Sequence, residues 1–348
     1  MATIKDVAAR AGVSPSTVSY ALSGKRPISD PVRRRIEAAI RELAFTPSAL
    51  GRGLRQGSSR MIGVVLPQGT GTPDGLAMEF FAAAAAASNR AGYGLCLFTR
   101  PAGDEALAGL VRNATVDGLL LMEVLRHDPR VAAMRAAGAP FVLVGRTSDP
   151  AGLSLVDFDY EAAALLAFQH LAVLGHRVVG YLDDDSDSGG AEIGFRSFLR
   201  RGVERARASL PLTIVPRLVH DDGYAATCAL LRAAPALTAI AALCGQTQLG
   251  ALRALRDHGR SVPADCSLIC ITTAERASWS TPALSSIDLP LATLGRLSVE
   301  LLLRQIAAAG PPEQIVLPPA LVARETTAPP RQALVGCDVM SCTPKAAG

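Results

Sequence analysis

Between Ser14 and Ser29 the chain gathers side chains suited to bonding anions and the edges of planar bases: Ser14, Ser16, Thr17, Ser19, Tyr20, Ser23, Lys25, Arg26 and Ser29, with Pro15 among them and Thr3 upstream. Short hydroxyls near helix starts suit phosphate oxygens, because the positive end of the helix dipole adds to each bond. Ser16 and Tyr20 stand at i, i+4 on one face beside Pro15, whereas Val18 and Leu22 are expected on the opposite, packed side. Charge points the same way. Residues 1–60 hold eleven Lys and Arg against four acidic residues, a balance of +7, and the remainder of the chain is at −3. A short basic module on a slightly acidic body is the electrostatic footprint of nucleic-acid binding, the bland alternative being a solvated basic face.

The elements that must position these groups are three short helices. Thr3 caps the first, with Asp6 completing a capping-box-like pair and Ile4, Val7, Ala8 and Ala11 forming its apolar stripe; Gly12 stops it. Ser14 caps the second, Pro15 occupies its first position, where a missing N–H costs nothing, and the helix runs to about Leu22 before Gly24. The third starts at Ser29 or Asp30 with Pro31 in its first turn, and places Val32, Ile36, Ala39, Ile40 and Leu43 on one face. Together they read as a helix-turn-helix, whose second helix enters the major groove with its N-terminal residues toward the bases. The segment from Phe45 to Arg55 has a helical pattern after Pro47, weakened by Gly51 and Gly53 at about 0.5–1 kcal/mol each. It is a marginal helix that forms when stabilised from outside.

The run Thr3-Ile-Lys-Asp-Val-Ala-Ala-Arg-Ala-Gly-Val-Ser-Pro-Ser-Thr-Val-Ser-Tyr-Ala-Leu-Ser-Gly24 resembles the N-terminal signature of LacI-type bacterial transcription regulators, relatives of the lactose and purine repressors. The resemblance implies that Pro15, Ser16 and Tyr20 fill the base-reading positions, Pro15 by apolar contact with a thymine methyl. Thr3, Ser14, Thr17, Ser19, Ser23, Lys25, Arg26 and Ser29 would then hold the phosphate backbone. It further implies a hinge helix that folds on DNA, pairs with its twin in a homodimer and drives Leu54 into the minor groove, with Ser48, Ala49, Arg52 and Arg55 beside it. Coupled folding of that helix would make it the switch through which the core tunes affinity.

From Met61 onward strand-like runs (61–66, 94–98, 118–122, 141–144, 178–182, 214–219, 239–244 and 267–271) alternate with Ala-rich helical patterns (75–91, 161–174, 223–233 and 249–259). Alternating βα units predict an α/β core of parallel, doubly wound sheets in two lobes, with a ligand crevice at the carboxyl ends of the strands. Val116-Asp-Gly-Leu-Leu-Leu121, His170-Leu-Ala-Val-Leu-Gly-His-Arg177, Val262-Pro-Ala-Asp-Cys-Ser-Leu-Ile269 and Thr281-Pro-Ala-Leu-Ser-Ser-Ile287 are similar to landmarks of the same family, which implies a periplasmic-binding-protein-like core. The expected division is 1–45 for the helix-turn-helix, 46–59 for the hinge, 60–157 plus 289–316 for the N-terminal lobe, 158–288 plus 317–330 for the C-terminal lobe, and 331–348 for a mobile tail without heptads.

The crevice departs from the family's sugar-binding pattern. The usual arginine is Ala191, the Asn-Asp pair is Cys244-Gly245, the Gly-Phe-Asp-Asp stretch is Cys270-Ile-Thr272-Thr273, and the aromatic loop after the first strand ends at Pro73-Asp74. Two readings stay open: an unidentified small-molecule effector of different, less polar chemistry, or a crevice without small-molecule control. Other signals point to no cofactor, metal or catalytic set. Gly69, Gly71 and Gly75 are misspaced for a dinucleotide loop, Asp183-Asp-Asp-Ser-Asp187 lacks the remainder of a calcium loop and reads as solvated, and His170 and His176 do not share a helical face, His170 reading as a helix residue with a local hydrogen bond.

Seven cysteines without a C-x-x-C imply small buried residues and no disulfide framework, with Cys337 and Cys342 of the tail the most exposed. Length (348 residues) and composition (49% hydrophobic, 19% charged, 4% aromatic) suit a soluble multidomain globule with no membrane-length apolar run. The opening residues lack a secretory pattern, so a cytoplasmic, nucleoid-associated place is expected. The reading is a dimeric, sequence-specific regulator of transcription, a repressor acting on double-stranded operator DNA. Its rivals are a regulator without an effector and an α/β sugar or nucleotide enzyme carrying a basic head.

Overall fold

The computed structural model describes residues 2–23, 26–45, 58–66, 75–99, 103–184, 192–219, 223–243, 247–308 and 310–331. At the N-terminal end, α1 (Ile4–Ala11) opens with a full capping box: Thr3 Oγ1 accepts from the Asp6 backbone N–H at 3.4 Å, and the Asp6 carboxylate accepts from the Thr3 backbone N–H at 2.7 Å. Gly12, at φ 64°, ends α1 in the left-handed region that suits glycine. Next, α2 (Pro15–Ser23) follows Ser14, whose Oγ accepts from the Thr17 N–H at 3.1 Å, and α3 (Asp30–Glu42) has Pro31 in its first turn; Ser29 makes no side-chain cap there. Val7, Ala8, Ala11, Val18, Ile36 and Ala39 form the buried centre of this head. Leu22 is not on the packed side as expected, being 36% exposed. Val18 and Ala21 fill the inner face instead, and Leu22, about 40° further round the helix than Val18, overhangs it.

Among the described residues the body is two six-stranded sheets. The first contains β1 (Met61–Val65), β2 (Gly94–Phe98), β3 (Gly118–Leu121), β4 (Phe141–Val144), β5 (Leu155–Phe158) and, from far along the chain, β11 (Gln314–Leu317), in the order β11-β5-β4-β3-β1-β2 and parallel throughout. The second contains β6 (Val178–Asp184), β7 (Thr213–Val219), β8 (Ala239–Ala242), β9 (Ser267–Thr272), β10 (Ser285–Asp288) and β12 (Ala320–Val322), in the order β12-β10-β9-β8-β6-β7, with β12 alone antiparallel. The chain passes between the sheets after β5, after β10 and after β11. The strands expected from the apolar runs are all present; β5, β10, β11 and β12 are additional, each too short or too polar to stand out.

Helices cover both sheets. Helix α4 (Gly75–Arg90) packs on α12 (Leu291–Ile306), which also lies against β3, β4 and β5, while α5 (Asp104–Arg112) packs on α6 (Pro129–Ala136). On the second sheet α7 (Tyr160–Val173) packs on α8 (Gly194–Ser209), and α9 (Gly223–Ala233) on α10 (Thr247–Asp257); α11 (Ala274–Ala277) is a single turn after β9. Alanine-rich faces bring these helices close. At Gly202 the approach is extreme, because a Cβ there would lie 2.3 Å from the Glu161 carbonyl oxygen of α7. No helix among the described residues is long and apolar enough to cross a membrane.

Two expectations need correction. His170 is bonded not locally but to Thr327, Nε2 to Oγ1 at 2.9 Å, and buried His176 meets Thr238 and Ser267 hydroxyls and the Ala328 carbonyl at 2.8–3.1 Å. Both rings tie the last described segment to the second sheet, and burial lowers both pKa values. Asp183 is buried rather than solvated, held by Tyr181 Oη at 3.0 Å and Arg200 Nε at 3.0 Å. Residues 185–190, Gly69, Gly71, Cys244, Cys337 and Cys342 lie outside the described residues.

Candidate functional site

Helix α2 presents Pro15 and Ser16 exposed at its N-terminal tip, with Thr17, Ser19 and Tyr20 half-buried around them and Val18 buried behind. The tip is therefore a surface of one small apolar ring and one hydroxyl, flanked by hydroxyls whose local bonds orient them: Ser14 Oγ and Thr17 Oγ1 are 2.9 Å apart. The Arg26 guanidinium lies 5.3 Å over the Tyr20 ring, which holds a cation beside this face of α2. The Thr3 hydroxyl is engaged with Asp6 at 2.7 Å, and Ser29 is exposed. Lys25, the Ser23 side chain and the residues expected in the hinge, Ser48, Ala49, Arg52, Leu54 and Arg55, lie outside the described residues.

Of the residues expected to line the crevice, Thr272 is described, and Pro73, Asp74, Ala191 and Gly245 lie outside. Thr272 ends β9 almost fully buried, and its Oγ1 has no hydrogen-bond partner among the described residues; the Gln248 Oε1 in the first turn of α10 is in the same condition. Sequence reasoning missed the groups that join the lobes here. Arg276 of α11 reaches across to α4, pairing with Glu79 and donating from Nη2 to the Gly75 carbonyl at 2.6 Å. Backbone bonds join Arg126 N–H to the Glu192 carbonyl and Gly194 N–H to the Val124 carbonyl, both at 2.8 Å.

Arg146 Nε sits 2.5 Å from the Asp157 carboxylate and its guanidinium carbon 4.1 Å from the Phe198 ring centre, so one cation links β5 to α8. Burial pushes the Asp157 pKa up to about 6 even against that cation. The Cys266 and Cys270 thiols, pushed by burial to about 12, are inert at neutral pH. No group of three or more His, Cys, Asp or Glu side chains among the described residues could hold a metal ion.

Comparison with known proteins bears on both parts of the chain. Residues 3–48 match the pattern of bacterial regulatory proteins of the lacI family, and residues 168–327 match a periplasmic binding protein-like domain. The HTH-type transcriptional regulator CelR of Thermobifida fusca is 30% identical over 340 residues, covering 93% of this chain and 98% of that protein. The chain belongs to the LacI family of bacterial regulatory proteins. Another LacI-family relative, the ribose operon repressor of Haemophilus influenzae, is 29% identical over 335 residues, covering 94% of this chain and 98% of that one. The fold is similar to that of the lac repressor dimer bound to operator and the anti-inducer ONPF, with a TM-score of 0.79 at 26% identity, covering 94% of this chain and 99% of that one. As a LacI-family member, the protein is a DNA-binding regulator of transcription.

Proposed function

We propose that this LacI-family regulator is a repressor that binds a two-fold symmetric operator as a homodimer. In this reading residues 1–45 bind the major groove, 46–59 form a hinge ordered in the minor groove, and the two lobes, 60–157 with 289–316 and 158–288 with 317–330, tune it. Pro15, Ser16 and Tyr20 read bases, while Thr3, Ser14, Thr17, Ser19, Ser23, Lys25, Arg26 and Ser29 hold phosphates. The observation that carries the reading is the exposed Pro15–Ser16 tip of α2 on a head whose opposite face is packed.

A small-molecule effector sits in the crevice between the lobes, as an anti-inducer accompanies the similar lac repressor. Thr272 Oγ1 and Gln248 Oε1, which have no hydrogen-bond partner among the described residues, supply its polar contacts. Selection of bound duplexes from a random pool by the full-length protein tests the whole reading. A palindromic motif of about 14–20 base pairs is the expected product; an asymmetric motif removes the dimer, and no enrichment removes sequence-specific reading.

A further inference from the structure

The chain enters the core through a strained corner. Arg60, immediately before β1, has φ 53°, a left-handed conformation that residues with a Cβ rarely adopt. Such an outlier persists only where the surroundings over-determine it. Here a single carboxylate does so. Asp117, immediately before β3, accepts from the Ser58 hydroxyl, from the Ser59 N–H at 2.6 Å, from the Ser59 hydroxyl at 2.7 Å and from the Arg60 N–H at 3.1 Å. Its own N–H donates to the Met61 carbonyl at 2.8 Å. The other side of the corner is also pinned: the Arg60 carbonyl accepts from Gly94 N–H at 2.8 Å, and its guanidinium lies 5.1 Å over the Tyr93 ring. The corner is therefore fixed in direction from Ser58 to Met61.

We propose that Asp117 is a positioning residue for operator binding: it sets the direction in which the hinge leaves the core, and so lowers the entropy lost when the hinge orders on DNA. The inference rests on residues 46–59 being that hinge. A carboxylate has about four lone-pair sites, and the corner engages all of them. An Asn at this position offers one acceptor oxygen and turns donors toward donors. Asp117 precedes β3 in the core, outside both the head and the residues assigned to the hinge, and its carboxylate bonds go to Ser58, Ser59 and Arg60.

The test uses the full-length protein, its selected operator and a scrambled duplex of equal length. With Asp117→Asn the operator Kd rises about tenfold through lost preorganisation while binding to the scrambled duplex stays within about twofold. The core transition, followed calorimetrically, is retained. In a Leu54→Ala background Asp117→Asn adds less than about twofold, since the corner matters only through the wedge it aims. Arg60→Gly, which adopts the same φ without strain and loosens the corner, loses specificity without lowering the core transition. The proposal is overturned by operator affinity within about twofold of wild type, by equal weakening on both duplexes, or by additive penalties in the double variant. Wild-type preference for the operator is read first, because its absence defeats the hinge reading itself and the role of Asp117 with it.

Discussion

Asp157 and His176 set opposing pH dependences within one core. Asp157, with its folded pKa raised to about 6 from 3.8, binds a proton in the native state before the unfolded chain does, so it contributes stability below that window and loses it as pH rises toward 6. His176 does the reverse: its folded pKa is lowered, the unfolded chain protonates first, and stability falls as pH drops below about 6.5. The Asp157 contribution is on the order of 2–3 kcal/mol. Asp157→Asn is therefore expected to lose stability more steeply than wild type on acidification from pH 6 to pH 4, measured by urea unfolding of the core; equal slopes would refute the assignment. At the DNA, Tyr20→Ala is expected to change base preference at one position per half-site, which a randomised-site selection reads directly.

Elements explain why some of this was legible in the chain and some was not. The Thr3–Asp6 capping box and the Gly12 stop are local, so their residue types suffice to place α1. The corner at Arg60 and the clasp at Arg276 join residues 57 and 197 positions apart, and no local pattern encodes either pairing. Leu22 was misplaced because helical periodicity assigns a face without saying whether the neighbouring helices extend far enough to cover it. Strands β10 and β12 stayed hidden because Ser285-Ser286 and a three-residue edge lack the apolar run that marks their neighbours. Packing gives two checks. Val18→Ala should lower the melting of the head by about 1–3 kcal/mol and weaken operator binding while leaving the core transition in place, since Val18 belongs to a core of its own. Gly202→Ala should cost about 1–3 kcal/mol in the core, because α7 presents backbone where the new methyl must go.

At the scale of the whole molecule, the lobes are joined by three chain crossings, by backbone bonds at residues 124–126 with 192–194, and by the Arg276–Glu79 pair. The last is a side-chain contact between α11 and α4, which a substitution removes without touching the backbone. Arg276→Ala should widen the crevice, seen as a larger radius of gyration in solution scattering, and the exchanged pair Glu79→Arg with Arg276→Glu should restore it; an unchanged radius in the single variant would deny the clasp a role. In the proposed reading the basic head reads sequence while the core aims it. Its most direct test is the ratio of Kd values for a scrambled duplex and the selected operator, measured with the full-length protein at physiological salt. A ratio of about 10³ or more is expected. A ratio near one, with both affinities falling together as salt rises, would contradict it.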